Sequence, residues 1–320
     1  MFCDFSNYYF CCKYEINFSY IKKNIVFLSK YIIIHLFVRI FSNMQENILE
    51  SRSQSNEQCS LTMVRRVAAM LDIDTCSFSE GDLLPKGWHF FMLAGETRKS
   101  ELRQDGFPGL GVSIPDLGLP RLLLGGRTVS YNGDIVIGSV VEKTSFIKSI
   151  VEKTTNSGPM AIVTIQHELR PNSESNPAII ETQTYILLSA SKTSNNSEKI
   201  LSNTIEAEHQ KQIIPDETLI FQYSALGFNS HKIHLDRGYA QNIEGLPDLV
   251  VNGGLTTLLL TEFIRTDLEL ELTEIKIKHI APLYCNRPMI LTAEKIETGW
   301  KLSVYNDNND IAVEAEANVK

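Results

Sequence analysis

Residues 253–280 read GGLTTLLLTEFIRTDLELELTEIKIKHI. The segment Gly254–Phe263 is apolar and opens on paired glycines, which predicts a buried helix. Leu268–His279 follows as a strand-like run. Met289–Ile296 and Lys301–Tyr305 repeat that texture, and AVEAEANV closes the chain. Before the helix come a short expected strand at Leu219–Tyr223 and a histidine-containing loop. The second half of the chain therefore reads as short strand, loop, helix and antiparallel sheet.

The first half shares that plan in part. RTVSYNGDIVIGSVVEKTSFIKSIVEK, starting at Arg127, alternates apolar and polar residues with turn signals at Asn132-Gly133 and Gly138. MAIVTIQHEL and IIETQTYILLSA continue it, so residues 127–190 read as an antiparallel sheet of four long strands. Upstream, Thr62–Asp72 places Met63, Val67, Met70 and Leu71 on one helical stripe, with Thr62 as the expected N-cap. Residues 44–60 read as a loose polar arm. The Gly/Pro-rich stretch 81–120 is long enough for a functional loop. Gly125-Gly126 reads as a bulge or turn.

Residues 191–211 are rich in Ser and Asn and lack an apolar period, which predicts a linker. The expected domains are 62–190 and 212–320. A helix wrapped by an antiparallel sheet is the hotdog arrangement. The expected fold is α+β, a double hotdog whose two sheets pair edge to edge into one continuous sheet.

Composition bounds the function classes. Of 320 residues, 43% are hydrophobic and 21% charged, as in ordinary soluble globular proteins. The net charge of −8 argues against a phosphate-backbone binder, so nucleic acid is not an expected partner. Six cysteines without a C-x-x-C pair suggest neither a zinc knuckle nor a disulfide framework, and fit a reducing compartment. Residues 1–43 stand apart: Asp4 and Glu15 are their only acids, and Lys30, His35 and Arg39 interrupt the apolar run Ile25–Phe41. A start at Met44, an organelle leader and a membrane anchor are the competing readings. The expected location is the cytoplasm, or the mitochondrial matrix if 1–43 is a leader, without stable membrane association.

The richest segment chemically is Tyr223–Ala240, YSALGFNSHKIHLDRGYA, which holds Asn229, His231, His234 and Asp236. Histidine titrates near working pH and can move a proton to and from carbon or water. The Asn229 amide can hold a water or hydroxyl but transfers no proton at neutral pH. His231 with His234 is half of a metal site at most, since zinc needs three or four ligands. His35, His89, His167, His209 and His279 read as packing or surface residues, and Lys232 and Arg237 as solvated charges. Gly253 and Gly254 open the helix with unpaired backbone N–H groups and the positive end of its dipole, a suitable place for an oxygen gaining negative charge.

The 223–240 segment resembles the active-site stretch of the MaoC-like, or hydratase-two, dehydratases, whose pattern is about S-G-D-x-N-P-x-H-x-D. His234 takes the working His position and Asn229 the Asp position five residues earlier; His231 falls where that family has Asn. Phe228-Asn229-Ser230-His231-Lys232-Ile233-His234 is similar to the F-N-x-H-x-I-H form of the mesaconyl-CoA hydratase and type-two 3-hydroxyacyl-thioester dehydratase branch. Leu119-Pro120-Arg121, Gly125-Gly126-Arg127 and the segment from Ser157-Gly158-Pro159 to His167-Glu168 look like the N-terminal half of the same branch. The chain departs from the family's V-V-H-G-P at two places, with Asn252 for the His and Gly254 for the Pro.

The resemblance implies a hydro-lyase acting reversibly on 3-hydroxyacyl and 2-enoyl thioesters of CoA or acyl carrier protein. It implies His234 and Asn229 as catalytic residues, Gly253 and Gly254 as the thioester-oxygen site, no cofactor, no metal, and a possible homodimer. The first half is expected to be scaffold and acyl-pocket wall. The alternatives are a branched short-chain, mesaconyl-type hydratase and a non-catalytic thioester-binding hotdog subunit.

Overall fold

The computed structural model describes residues 52–109, 111–156, 158–189 and 205–320. The readings placed on residues 1–51, including the leader and the start at Met44, lie outside the described residues.

Among the described residues, ten strands form one antiparallel sheet. They are β1 Arg52–Gln58, β2 Arg121–Tyr131, β3 Val140–Thr155, β4 Gly158–Pro171, β5 Ile179–Leu188, β6 His209–Ile213, β7 Leu272–His279, β8 Met289–Ile296, β9 Gly299–Tyr305 and β10 Ile311–Val319. Their order is β1-β3-β4-β5-β2-β7-β10-β9-β8-β6. From either edge inward the order is first, third, fourth, fifth, then second strand of that half. The two halves are therefore topological copies, joined where β2 pairs with β7 (Arg127↔Ile277, Val129↔Ile275).

Each half opens with an edge strand and a helix: β1 then α1 (Leu61–Met70), β6 then α2 (Glu217–Leu226). The halves diverge in the segment leading to β2 and β7. In the second half, α3 (Arg237–Asn242) precedes α4 (Gly253–Glu262), and Leu255 through Glu262 are all buried. A helix buried on every side belongs between layers. Leu255, Leu258 and Leu260 join one core with Ile275 and Ile277 of β7, Leu291 of β8, Leu302 and Val304 of β9 and Ala315 of β10. Each fully buried leucine contributes roughly 1.5–3 kcal/mol.

Among the described residues, the first half has 3₁₀ turns in the corresponding segment and no α-helix: Thr75–Ser77, Trp88–Leu93 and Lys99–Glu101 precede β2. The turn Trp88–Leu93 packs on α4: Trp88 Nε1 donates to Glu262 Oε1 at 2.7 Å. Gly87 has φ +91, and a Cβ there would collide with Thr261.

Several expectations need correction. Leu219–Tyr223 is helix, not strand. Asp216 caps it by accepting from Leu219 N at 2.8 Å, and Ile220, Tyr223 and Ser224 form its buried face. A five-residue apolar run cannot discriminate the two periods. The polar arm contains β1, an exposed edge strand paired with β3 (Arg52↔Phe146 to Gln58↔Val140). Its exposure removes the alternation by which strands are recognised. The expected linker ends inside β6, which covers the opposite edge. The first helix is capped by Ser60, not Thr62, with Ser60 Oγ accepting from Met63 N at 3.3 Å. Leu268–Glu271 precede β7 rather than belonging to it, after a π-helical turn at Phe263–Asp267. Gly125-Gly126 is a bulge, one of the two forms expected of it, with a register shift between Leu124 and Gly126. A Cβ on Gly126 would meet the Ile277 carbonyl at 2.7 Å, so the bulge lets β2 approach β7.

Candidate active site

A cavity of about 470 Å³ lies between the halves of the sheet and the N-terminus of α4, within the size range of small-ligand sites. Asn229, His231, His234, Gly253 and Gly254 all line it.

His234 sits at the end of the 3₁₀ turn Lys232–His234, which is docked on residues 104–106 of the first half. Lys232 N donates to Asp105 O at 2.8 Å, Lys232 Nζ to Gln104 O at 2.6 Å, and Ser230 Oγ to Gly106 O at 2.6 Å. Lys232 is thus tied down rather than freely solvated. Gly106 has φ +77, and a Cβ there would meet Ser230 O at 2.5 Å, so the approach requires glycine.

The His234 ring is fixed from the other side. Its Nδ1 lies 2.8 Å from Val250 O, while Val250 N donates to Ile233 O at 2.9 Å. A carbonyl only accepts, so Nδ1 carries the proton and Nε2 holds the free lone pair. Burial, and then the neighbouring His231, push the imidazole down to about 3, against the Val250 hydrogen bond. His234 is therefore a neutral base at working pH.

Asn229 Oδ1 accepts from His231 N at 3.0 Å, which leaves Nδ2 as the donor for a bound molecule. His231 itself is buried, with Nε2 3.7 Å from Asp105 Oδ2 and its ring edge-on to His234 at 5.5 Å. Burial lowers its pKa, while Asp105 and Glu244 oppose the shift.

Gly253 and Gly254 are the first two residues of α4, where backbone N–H groups have no acceptor within the helix. Asn252 precedes them and is buried. Its Nδ2 donates to Ser224 Oγ at 3.1 Å, while Oδ1 has no partner among the described residues. Glycine at 254 has a physical reason: a Cβ there would collide with Tyr223 Oη and lie 3.4 Å from Arg127 Nη2.

The sequence reading missed a group of first-half residues behind these. Arg127 and Tyr185 line the cavity, and Arg127 Nη1 pairs with Glu181 Oε1 at 2.9 Å. Glu181 also takes hydrogen bonds from His89 Nε2 at 2.7 Å and Gln183 Nε2, and Tyr185 Oη donates to Gln183 Oε1 at 2.6 Å. Burial opposes ionisation of Glu181, but Arg127, His89 and Gln183 together outweigh it and hold the carboxyl at about 2. His279, read as packing or surface, lies in the cavity wall with Nε2 unpartnered among the described residues; burial and then Arg127 lower it to about 4. The signal was parity. Arg127, Val129 and Tyr131 share one face of β2, and Glu181, Gln183 and Tyr185 share the buried face of β5. Charged residues at core-facing strand positions are the anomaly to notice.

Among known proteins, the hydroxyacyl-thioester dehydratase type 2 family matches residues 87–285, over half of the chain. The chain belongs to this family. The match spans both halves of the sheet and the Asn229–His234 segment. The chain is 29% identical over 240 residues to the mesaconyl-C(4)-CoA hydratase of Chloroflexus aurantiacus, covering 75% of this chain and 85% of that one. In fold it is similar to a MaoC-like dehydratase from Phytophthora capsici, with TM-score 0.62 and 10% identity, over 86% and 96% of the two chains. It is also similar to a Mycobacterium tuberculosis protein described as a double hotdog, with TM-score 0.53 and 11% identity, over 84% and 95%. The fold is the double hotdog, and the chain is an enzyme of the hydratase and dehydratase class.

Proposed function

We propose that this family member interconverts 3-hydroxyacyl and 2-enoyl thioesters with His234 as its single proton carrier. In dehydration, His234 Nε2 takes the α-proton and the thioester oxygen gains negative charge. The amides of Gly253 and Gly254, at the positive end of α4, receive that charge. Asn229 Nδ2 donates to the 3-hydroxyl. The His234 imidazolium returns its proton to that hydroxyl as the C3–O bond breaks, and water leaves. Hydration is the reverse. No redox change occurs, so the proton moves only between His234, carbon and oxygen.

The observation that carries this reading is the His234–Val250 hydrogen bond, which sets a neutral Nε2 on the same cavity as Asn229 and the α4 amides. An imidazolium is costly in so buried a place unless an anion faces it. Pairing with the forming enolate supplies that anion at the moment of transfer. The fatty-acyl reading and the branched short-chain reading share this chemistry. The second draws support from the Chloroflexus aurantiacus relative. Buried free thiols at Cys59 and Cys285 fit a reducing compartment, cytoplasm or mitochondrial matrix. The direct test follows the enoyl-thioester absorbance on adding protein to a panel of CoA thioesters, from four-carbon to long-chain, with and without a methyl branch. Loss of absorbance on at least one member is expected; no change on any would contradict the reading.

A further inference from the structure

The two halves of the sheet do not stay joined along the whole of β2. Among the described residues, the β2–β7 ladder runs only from Gly126↔Lys278 to Ser130↔Glu274, whereas β2 pairs with β5 from Arg121 onward. Continued upstream, that register would set Leu124 opposite Ile280 and Leu123 opposite Ala281. Instead, residues 121–125 and 279–283 all line the cavity. The chain beyond β7 stays with β10, since Ile280 N and Ala281 N both donate to Ala312 O. It is β2 that diverges, at its bulge. Successive strand residues point to opposite faces of a sheet, so a space touching five in a row lies at the strand's edge and reaches both faces. Tyr185 and Ile186, neighbours on β5, line it as well. The cavity is therefore a slot through the sheet, between β2 and the end of β7. Its inner end lies at the N-terminus of α4, where a Cβ on Gly253 would be 2.9 Å from Leu124 Cδ2 and 3.1 Å from His279 Cε1. Its outer end is apolar, with Leu123 and Ile280 42% and 49% exposed. Leu123 pairs with Ile186, Ile186 with Ile162, and Ile162 with Val151. An apolar row thus leads from the slot across β5, β4 and β3 on the outer face.

Resting on the thioester reading above, we propose that the slot is the path of the acyl tail, and that Leu123, Ile186 and Ile280 set the chain-length preference. The substrate class is a straight-chain acyl thioester whose tail crosses the sheet. A thioester oxygen held at the α4 amides puts the acyl group beside Leu124, at the inner end of the slot. Asp105 and Glu244 also line the cavity, and an apolar tail turned that way would lie against carboxylates. Packed layers are spaced by about 10 Å, so tails of about eight carbons or more emerge on the outer face and lie along Ile186, Ile162 and Val151. Each methylene so covered strengthens binding by up to about fourfold. An open slot has no end wall, so affinity rises with length without a sharp upper limit.

The test is binding, so that it does not depend on turnover. The full chain is titrated calorimetrically with butyryl-CoA and decanoyl-CoA, saturated thioesters that differ only in tail length. Decanoyl-CoA is expected to bind at least about tenfold tighter, from the extra methylenes covered in the slot. Leu123→Asp and Ile280→Asp each put a carboxylate at the outer end, on a side chain already exposed to water, and should erase most of that ratio, the loss falling on decanoyl-CoA. Equal affinities in the unaltered protein, or a ratio unmoved in both variants, would overturn the proposal. An equal loss for both thioesters would overturn it too, because the slot would then hold the thiol arm they share. A second measurement needs no variant: decanoyl-CoA with a photoreactive group at the tail end is cross-linked to the unaltered protein. Label on the peptides holding Leu123, Ile186, Ile162 or Ile280 is expected, and label confined elsewhere contradicts the path. No binding of either thioester would overturn the thioester reading as well, whereas butyryl-CoA binding without a gain for decanoyl-CoA overturns the tail path alone.

Discussion

The Nδ1 atom of His234 and the carbonyl oxygen of Val250 lie 2.8 Å apart, with the ring buried. This fixes the tautomer and has a consequence for pH. An ordinary histidine base loses activity below about pH 6.5. Here burial holds His234 at about 3. The acid limb of kcat/KM is therefore expected well below pH 6, with activity flat from pH 7 to 5.5. A limb centred near 6.5 would show that His234 is not the base or is not held neutral.

Stability should respond to the same residues. His234, His279 and His167 are held at about 3, 4 and 4 in the folded chain, chiefly by burial. Unfolded, they titrate near 6.5. As pH falls from 6.5 towards 4 the unfolded chain binds protons that the folded chain refuses, so stability drops in that window. The depressed Glu181 carboxyl acts in the same direction at lower pH. Urea midpoints should fall steadily between pH 7 and 4.5; a constant midpoint would contradict the burial of neutral histidines.

Asn229 and His231 should separate by substitution. Asn229→Ala removes the Nδ2 donor and the Oδ1 cap on His231 N, and should lower kcat more than it raises KM. His231→Ala should cost less than any change at His234, because its ring faces Asp105 and Phe107. Asn229→Asp keeps the acceptor for His231 N but loses the donor. Activity should collapse if the donor holds the substrate hydroxyl, and survive if that residue only positions water. Steady-state kinetics on one enoyl thioester decides.

Gly254→Ala tests the crowding at the helix N-terminus. The new methyl runs into Tyr223 Oη, whose ring cannot slide freely because it stacks on Phe90. A destabilisation of roughly 1–3 kcal/mol is expected, the usual cost of overpacking. Adding Tyr223→Phe removes the closest atom and should recover part of it. A fully stable single variant, or no recovery in the double, would mean that the hydroxyl does not sit where described.

The second half of the fold was the more legible. An apolar helix at 254–263 followed by strand-like runs has few other solutions, and α4 with β7–β10 follows that reading closely. Leu219–Tyr223 failed because its length carries no period, and the cap that decides it, Asp216, lies three residues before it. β1 failed because an edge strand with both faces wet shows no apolar alternation. In the site, the 229–234 spacing was readable because its residues are local. Arg127, Tyr185 and Asp105 were not found, because only strand pairing and loop docking bring them within reach. Arg127 and Glu181 nevertheless left a mark: each is a charge at a core-facing strand position, and each marks the other.

The central claim is that His234 moves the proton. His234→Ala removes Nε2 and leaves the α4 amides, Asn229 and the cavity wall in place. The decisive measurement is turnover of a thioester the unaltered enzyme hydrates, alongside its binding affinity. Turnover should fall by about 10²–10⁴, the range for losing a general acid–base group, while binding changes little. Near-full hydration and dehydration rates in His234→Ala would contradict the account.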